Sequence, residues 1–291
     1  MLLKLLSRLP LEVLYPLARL IYFIIYYVVR YRRTLVFEHL RTAFPQLSKQ
    51  EIKRLAKGFY RNLADISVET LKMISMTQEE LEERVIHNNP ELLQSLADEG
   101  NSLVLLSAHV GNWEWLHLAL GLKVPLQMNS AYKPIHNKRV DRIFYEMRSK
   151  FGANLVESAE YMDVVIKNRK TQQAYAFLAD QKPRGTGKCH FTEFLNRETR
   201  FFTGPEKVAQ FAKAPVVFLS MRRVRRGYYE VDYQLLARPP YAKQKDQYPI
   251  TELYARAVEE LIQEQPDSWL WSNRRWRIRN PDQLANQSLK I

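Results

Sequence analysis

The stretch from Leu103 to Trp115, LVLLSAHVGNWEW, contains the pattern that decides the fold. Its first four residues form an apolar run, which is typical of a strand buried on both faces of a parallel sheet. The run stops before His109, after which Gly111 permits a sharp bend and Asn112 is a good helix N-cap. We therefore predict a strand, a loop that carries His109, and a helix whose first turn carries Glu114.

The alternation of short apolar runs with helical patterns continues along the chain. Strands are predicted near 103–107, 124–130, 154–157, 174–179 and 215–222, and helices near 112–121, 136–151, 159–168, 205–213 and 249–264. Such alternation predicts βαβ units, so we expect an α/β fold with a largely parallel central sheet flanked by helices. Residues 227–236 alternate between apolar and polar, which predicts an antiparallel edge strand.

The composition indicates a globular protein with anionic partners. Hydrophobic residues make up 46% of the 291-residue chain, which excludes general disorder. Lys and Arg number 44 against 31 Asp and Glu, giving a net charge of +13. This charge favours nucleic acid, a phospholipid surface or an acidic protein as partner, without choosing among them. The only cysteine, Cys189, cannot form an internal disulfide, which favours a reducing compartment.

The amino terminus narrows the choice of partner. Residues 9–29, LPLEVLYPLARLIYFIIYYVV, approach the ~20 residues of a membrane span, although Glu12, Pro16 and Arg19 interrupt them. Tyrosines and arginines follow, as is typical of a membrane interface. We predict an N-terminal membrane-anchoring helix and helical hairpin, with residues 1–33 as the anchor and 34–291 as the cytoplasmic main domain. The alternative is a buried amphipathic helix of a soluble fold.

His109 and Glu114 suggest general base chemistry. Five residues on one continuous helix rotate two side chains ~140° apart, so a contact between them needs the bend at Gly111. A carboxylate that reaches back would orient the imidazole, which could then take a proton from a hydroxyl group. No G-x-S-x-G nucleophile motif is present, and Cys189 and His190 would point to opposite faces of a strand. The attacking hydroxyl is therefore expected on the substrate.

Three other interpretations of this segment stay open. His109 could be a hydrogen-bonded structural residue, and Trp113 or Trp115 could simply pack in the core. Glu114 and His117 form an E-x-x-H pair, but di-iron bundles need two such pairs with further glutamates, and H-E-x-x-H is absent. No metal is therefore predicted.

Further polar residues follow later apolar strands. Asp180 comes directly after the predicted strand 174–179, and Arg184 follows in a glycine-containing loop. Arg200 and Gly204 precede Pro205, a favoured first helical residue, so an anion could bind near that helix start. Ordinary solvated charge is the alternative for these arginines.

The order of these motifs resembles the glycerolipid-type acyltransferase superfamily, and within it the late acyltransferases of lipid A biosynthesis. The resemblance is carried by the H-x4-E pair, Asp180 after a strand, the RFFTGP segment at 200–205 and the APVVF segment at 214–218. The tail from Pro266 to Trp276, PDSWLWSNRRW, is similar to the family's closing P-x-x-W-x-W-x-x-R-R-W segment.

The resemblance implies an O-acyltransferase without a cofactor. Its activity would be transfer of a fatty acyl chain from acyl carrier protein to a hydroxyl of a lipid A precursor, at the cytoplasmic face of the bacterial inner membrane. His109 would be the general base, Glu114 its partner, and Asp180 and the segment from Arg200 to Gly204 would contact substrate. A coenzyme A donor and another glycolipid or phospholipid acceptor are the alternatives within this class.

One departure concerns an arginine that these enzymes commonly carry soon after the glycine that follows the second helix. Here Gly152 is followed by Ala-Asn-Leu. Lys133, Arg139 or Arg142 is expected to take over its role in binding phosphate.

The arginines of segment 222–226 predict a basic face that meets an acidic carrier protein or lipid phosphates, or that guards an edge strand. They also motivate a different class, a basic nucleic-acid-binding protein. No recognised binding motif accompanies them and the apolar amino terminus argues against this class, so no nucleic-acid partner is predicted. A metal hydrolase is the third hypothesis.

Overall fold

The structure is a computed structural model that describes residues 2–183, 188–241 and 247–276. Its strands are β1 Val85–His87, β2 Leu103–Ser107, β3 Met128–Tyr132, β4 Asn154–Glu157, β5 Ala174–Leu178, β6 Cys189–Phe194, β7 Arg197–Phe202, β8 Val216–Arg225 and β9 Tyr228–Ala237. Its α-helices are α1 Leu2–Ser7, α2 Leu11–Phe23, α3 Arg33–Ala43, α4 Lys49–Lys72, α5 Gln78–Arg84, α6 Glu91–Asp98, α7 Trp113–Lys123, α8 Lys138–Arg148, α9 Tyr161–Lys167, α10 Gly204–Ala212 and α11 Pro249–Glu264.

A seven-stranded sheet in the order β1-β9-β8-β2-β5-β3-β4 forms the centre of the molecule. All neighbouring strands are parallel except β8 and β9, which form an antiparallel hairpin. Strands β6 and β7 form a separate antiparallel hairpin. The predicted α/β class with a largely parallel sheet flanked by helices is therefore confirmed.

The prediction of an edge strand at 227–236 is wrong. The strand exists as β9, but β1 pairs with it in parallel, from Val85 opposite Tyr229 to His87 opposite Val231. A three-residue strand is enough to cover the backbone donors and acceptors of its neighbour. The exposed edges of the sheet are therefore β1 and β4.

Two apolar cores lie on opposite faces of the sheet because β2 is buried on both sides. Val104 and Leu106 face one core, which α3, α9, α10 and α11 help to form. Leu103 and Leu105 face the other, together with residues of α2, α6 and α7. The long helix α4 contributes to both cores, and its N-terminus is fixed by a capping box between Ser48 and Glu51.

The amino-terminal helix lies against the domain. In α2, Leu11, Leu14, Tyr15 and Ala18 are buried, and the helix packs on α4. A π-helical turn, Ile24–Val28, extends α2. The continuous segment Leu11–Val28 is long and apolar enough to cross a membrane by length and composition, and 22% of it is buried.

The expected basic face at 222–226 is largely neutralised. Arg222 forms salt bridges with Asp232 and Glu264, at 2.5 and 2.9 Å. Arg223 and Arg226 both bind the buried carboxylate of Asp65. The guanidinium groups therefore tie β8 and the β8–β9 turn to α4, α11 and β9, which does not favour the nucleic-acid-binding hypothesis.

The lowered pKa values of three histidines predict how the stability of the protein depends on pH. Burial lowers the pKa of His39, His87 and His117 to about 4, from 6.5 in an unfolded chain. Between pH 6.5 and 4 the unfolded chain therefore binds more protons, and each histidine lowers the free energy of unfolding by up to ~1.4 kcal/mol per pH unit as pH falls.

Urea titrations in detergent at pH 7, 6 and 5 should give progressively lower unfolding midpoints. A midpoint independent of pH in this window would contradict the burial of the three imidazoles. The carboxyl groups of Asp180 and Glu114 contribute little to this slope, because their pKa values are lowered from 3.8 and 4.5 and they titrate mainly below about pH 5. The raised pKa of Glu69 acts in the opposite sense, but it is one group against three histidines.

Candidate active site

The loop after β2 holds His109 at the carboxyl edge of the sheet, as predicted. Gly111 has φ +61°, a conformation that favours glycine, and this bend separates the strand from α7. Asn112 caps the helix, since its side-chain oxygen accepts a hydrogen bond from the amide of Trp115 at 3.0 Å. The local pattern HVGN thus ends the strand, turns the chain and begins the next helix.

The imidazole of His109 binds Asp180. The distance from Nδ1 to Oδ1 of Asp180 is 2.6 Å, and the His109 amide donates to Oδ2 at 3.1 Å. This contact follows from topology, because β2 and β5 are parallel neighbours whose carboxyl ends meet at one edge of the sheet. A carboxylate only accepts, so Nδ1 carries the proton and Nε2 is left with a lone pair.

The environment keeps Asp180 ionised although its side chain is only 1% exposed. Burial raises the pKa of this carboxyl, but the charge of His109 and the hydrogen bonds from His109 and the Trp269 indole more than offset it, so the pKa is lowered overall. An anionic carboxylate that fixes the tautomer of a neighbouring imidazole is the arrangement a histidine base requires.

The expected contact between Glu114 and His109 is corrected by the structure. Glu114 lies in the first turn of α7, and its carboxylate accepts two hydrogen bonds from Arg148, at 2.8 and 2.6 Å. Burial raises the pKa of Glu114, and the hydrogen bond and charge of Arg148 lower it overall. Because Arg148 engages both oxygens and Asp180 holds Nδ1, the acid that orients His109 is Asp180.

A cleft of about 690 Å³ opens beside His109. Glu114, Arg148 and Lys133 line it, and apolar side chains from four strands and α7 cover its inner part: Leu105, Leu116, Leu120, Leu155, Ala176 and Leu219. Several of these belong to the core between α7 and the sheet. A cleft with polar groups beside His109 and an apolar interior suits an amphiphilic ligand.

The other predicted site residues are only partly brought together. Lys133 is exposed and lines the cleft, whereas Arg139 is exposed on α8 and is not part of its lining. Arg200 donates to the Pro183 carbonyl at 3.2 Å, which ties the loop after Asp180 to β7. Arg184 lies outside the described residues.

Gly204 begins α10 beneath the ring of Phe202. A Cβ at Gly204 would lie 2.2 Å from that ring, and Phe202 lines the cleft. The glycine therefore lets an aromatic ring lie at the cleft wall.

Three residues of the site were not predicted. Arg148, the last residue of α8, forms a salt bridge with Glu114 at 2.6 Å. Trp269 donates from its indole to Oδ2 of Asp180 at 2.8 Å, and Arg275 is buried with a charge that interacts with Asp180. A basic residue in the last turn of a helix was the only sequence signal for Arg148, and the tail tryptophans were noticed only through the resemblance.

Glu114 and His117, which form the E-x-x-H pair, both contact Arg148. Glu114 accepts from the Arg148 guanidinium, and Nε2 of His117 lies 3.1 Å from the Arg148 carbonyl oxygen. Within residues 2–183, 188–241 and 247–276, no group of three or more His, Cys, Asp or Glu side chains is arranged to hold a metal.

Comparisons with known proteins identify the family. A search of curated proteins found no match. The family described as bacterial lipid A biosynthesis acyltransferase matches residues 1–278, which is nearly the whole chain. The chain, with its histidine at the strand end and its cleft, belongs to the bacterial lipid A biosynthesis acyltransferases.

Proposed function

We propose that this acyltransferase moves a fatty acyl chain from the thioester of acyl carrier protein to a hydroxyl of a lipid A precursor. The observation that carries the proposal is the 2.6 Å hydrogen bond between His109 Nδ1 and the buried Asp180, in the wall of a cleft with an apolar interior. It leaves Nε2 as the atom that accepts the hydroxyl proton. The family implies an acyl donor, and its identity as the carrier protein is part of the proposal.

The reaction needs no nucleophile from the protein. Nε2 of His109 removes the proton of the acceptor hydroxyl as its oxygen bonds to the thioester carbonyl carbon. The tetrahedral intermediate then breaks its C–S bond, and the leaving thiolate takes the proton from the imidazolium, which gives an ester and a thiol. Two of the three serines that line the cleft have their hydroxyl protons committed, since Ser107 and Ser158 donate to the carbonyls of Leu219 and Tyr132. The third, Ser130, lies 3.5 Å from Nδ1 of His117 and not beside His109.

Glu114 keeps a role in this proposal through Arg148. Their bidentate pair holds a guanidinium at the cleft wall, where it can bind a phosphate of the acceptor together with the exposed Lys133. An unpaired carboxylate or guanidinium at that depth would carry a large desolvation penalty. Glu114 therefore acts on acceptor binding, while Asp180 acts on the base.

Membrane association is supported by the outer surface of the amino terminus. Opposite the buried face of α2, apolar and aromatic side chains are exposed: Leu3, Leu5, Leu9, Val13, Leu20, Phe23, Ile24, Tyr27, Val28, Val29 and Tyr31. Exposed Arg30 and Arg32 follow them. Because its inner face packs on α4, we propose that segment 1–33 anchors the domain by lying in the lipid interface, on the cytoplasmic face of the inner membrane.

The first test compares three substitutions by residues of similar shape, which remove the base, its partner carboxylate or the Glu114 carboxylate. His109→Gln should lower kcat/KM for acyl transfer by about 10²–10⁴ because the base is removed. Asp180→Asn should cost a similar factor, mainly in kcat, because an amide neither fixes the tautomer nor stabilises the imidazolium. Glu114→Gln should mainly raise KM for the acceptor. The assay is transfer of labelled acyl chain from carrier protein to purified precursor.

The control is His87→Gln at the edge strand β1, which should keep activity within about twofold. A larger loss of kcat in Glu114→Gln than in Asp180→Asn would contradict the assignment of Asp180 as the partner of His109. Wild-type activity in His109→Gln would remove the histidine from the mechanism.

The cleft interior predicts chain-length selection. Ala176→Leu adds volume where β5 meets the cleft, so the variant should prefer shorter acyl chains than the wild type. Ala176→Ser, which changes the volume little, should keep the original preference. Competition among carrier proteins loaded with chains of different length, with product masses read by mass spectrometry, measures the shift. An unchanged preference in Ala176→Leu would place the acyl chain elsewhere.

The exposed apolar surface predicts where lipid binds. Phe23 and Val28 are 53% and 64% exposed, so the double variant Phe23→Ser, Val28→Ser should weaken vesicle binding on the order of tenfold. The matched control is Phe211→Ser, Leu253→Ser, which alters side chains of 46% and 45% exposure on α10 and α11. Flotation with vesicles of phosphatidylethanolamine and phosphatidylglycerol compares them. Equal weakening by both pairs would argue against the amino-terminal surface as the anchor.

A further inference from the structure

A short segment near the end of the described chain lies against the catalytic loop. We call residues 268–270 the tryptophan clamp; they follow α11, contain Trp269 and are followed by Trp271. Both tryptophans are buried, with 2% and 0% exposure, and their rings pack edge to face with centroids 4.7 Å apart. The clamp is separated from His109 by about half the chain, yet it contacts the loop from the His109 carbonyl to Gly111.

Backbone hydrogen bonds join the clamp to the loop. The Leu270 amide donates to the His109 carbonyl at 3.0 Å, and the Gly111 amide donates to the Ser268 carbonyl at 3.2 Å. Val110 and Trp269 form an isolated antiparallel bridge between them. The peptide groups on either side of Val110 are thereby fixed, so the backbone that carries His109 is held from outside its own sheet.

The Trp269 side chain extends this restraint to Asp180. Its indole N–H donates to Oδ2 at 2.8 Å, and the same oxygen accepts the His109 amide at 3.1 Å. Oδ1 is bound to Nδ1 of the imidazole, so both carboxylate oxygens have hydrogen-bond donors. The plane of the carboxylate therefore cannot rotate freely.

Arg275 adds a charge behind the carboxylate. Its side chain is 3% exposed and lies over the Phe201 ring, with the guanidinium carbon 4.6 Å from the ring centroid. Nε and Nη2 have no hydrogen-bond partner within the described residues. Burial lowers the pKa of Arg275 to about 10, while the charge of Asp180 raises it, so the group stays cationic at neutral pH and favours an ionised Asp180.

We propose that Trp269 is a positioning residue of the acyltransferase, which holds the Asp180 carboxylate at the angle that orients His109. The expected effect on kcat rests on the proposed function, whereas the orientation of Asp180 and His109 by Trp269 does not. Trp269 touches no substrate atom in this proposal and acts only through Asp180.

Trp269 in the clamp and Trp271 directly after it provide a matched experiment. Trp269→Phe removes the hydrogen bond to Asp180, whereas Trp271→Phe removes a hydrogen bond to the Pro266 carbonyl from a ring that is equally buried. Trp269→Phe should lower kcat by about tenfold, ~1.4 kcal/mol of transition-state stabilisation, with both KM values within about twofold. Trp271→Phe should keep kcat within about twofold.

The pH profile separates positioning from a packing defect. Burial raises the pKa of Asp180, but the charge and hydrogen bonds of His109 and the hydrogen bond from the Trp269 indole lower it overall. Removal of the indole N–H in Trp269→Phe should therefore move the acidic limb of the kcat/KM profile to higher pH. Trp271→Phe should retain the wild-type limb. Equal kcat values or equal acidic limbs in the two variants would overturn the proposal.

A measurement without turnover distinguishes this proposal from the proposed function. The imidazole Nδ1–H proton of His109, identified by its loss in His109→Gln, should give a proton NMR signal that shifts in Trp269→Phe and not in Trp271→Phe. If the proton signal shifts in Trp269→Phe but the wild-type protein transfers no acyl chain, the proposed function is wrong and the positioning role of Trp269 is supported. An unshifted signal in Trp269→Phe would contradict the positioning role, even if the enzyme transfers acyl chains.

If Trp269→Phe does not fold, benzothienylalanine at position 269 replaces the indole N–H with sulfur in a ring of nearly the same shape. The same shifts in kcat, acidic limb and proton signal are expected for it. Wild-type values for all three would overturn the proposal.

Discussion

A single buried carboxylate, that of Asp180, holds together the candidate active site. Ionised carboxylates lose much of their hydration when they are buried, and the loss is tolerated only when donors surround them. Asp180 receives three hydrogen bonds, two from His109 and one from Trp269, with the cationic Arg275 nearby. Strand β5, the loop after β2 and the tryptophan clamp thus meet at one group.

A second buried carboxylate, that of Glu69, connects the amino terminus to the same loop. It accepts hydrogen bonds from Asn112 at 2.7 Å, Tyr229 at 2.6 Å and Tyr15 at 3.1 Å. Burial raises its pKa, which the donors from Tyr229 and Asn112 and the charge of Arg223 oppose. Asn112 caps the helix that follows His109, and Tyr15 belongs to α2. The apolar helix proposed to lie in the lipid interface and the loop that carries His109 are therefore fixed to one group on α4.

Local patterns were sufficient to predict much of the fold and the place of His109. The strand β2, the bend at Gly111 and the cap at Asn112 depend on neighbours in the sequence, so periodicity and capping rules identify them. The partner of His109 could not be predicted in this way, since Asp180 lies 71 residues further on and reaches the imidazole only because β5 is placed beside β2. The role of β9 was mistaken for the same reason, because its neighbour β1 precedes it by more than a hundred residues.

The two acidic residues near His109 illustrate why sequence spacing alone can suggest the wrong pair. Glu114 is close in sequence but starts a helix whose neighbour α8 ends in Arg148, and a bidentate guanidinium is a stronger partner for a buried carboxylate than a neutral imidazole. Without Glu114, Arg148 would be an unpaired charge in the wall of an apolar cleft. Loss of activity in a Glu114 variant would follow from that defect as readily as from a direct role in proton transfer. Only the division of its effect between kcat and KM, compared with that of Asp180, identifies which carboxylate serves the base.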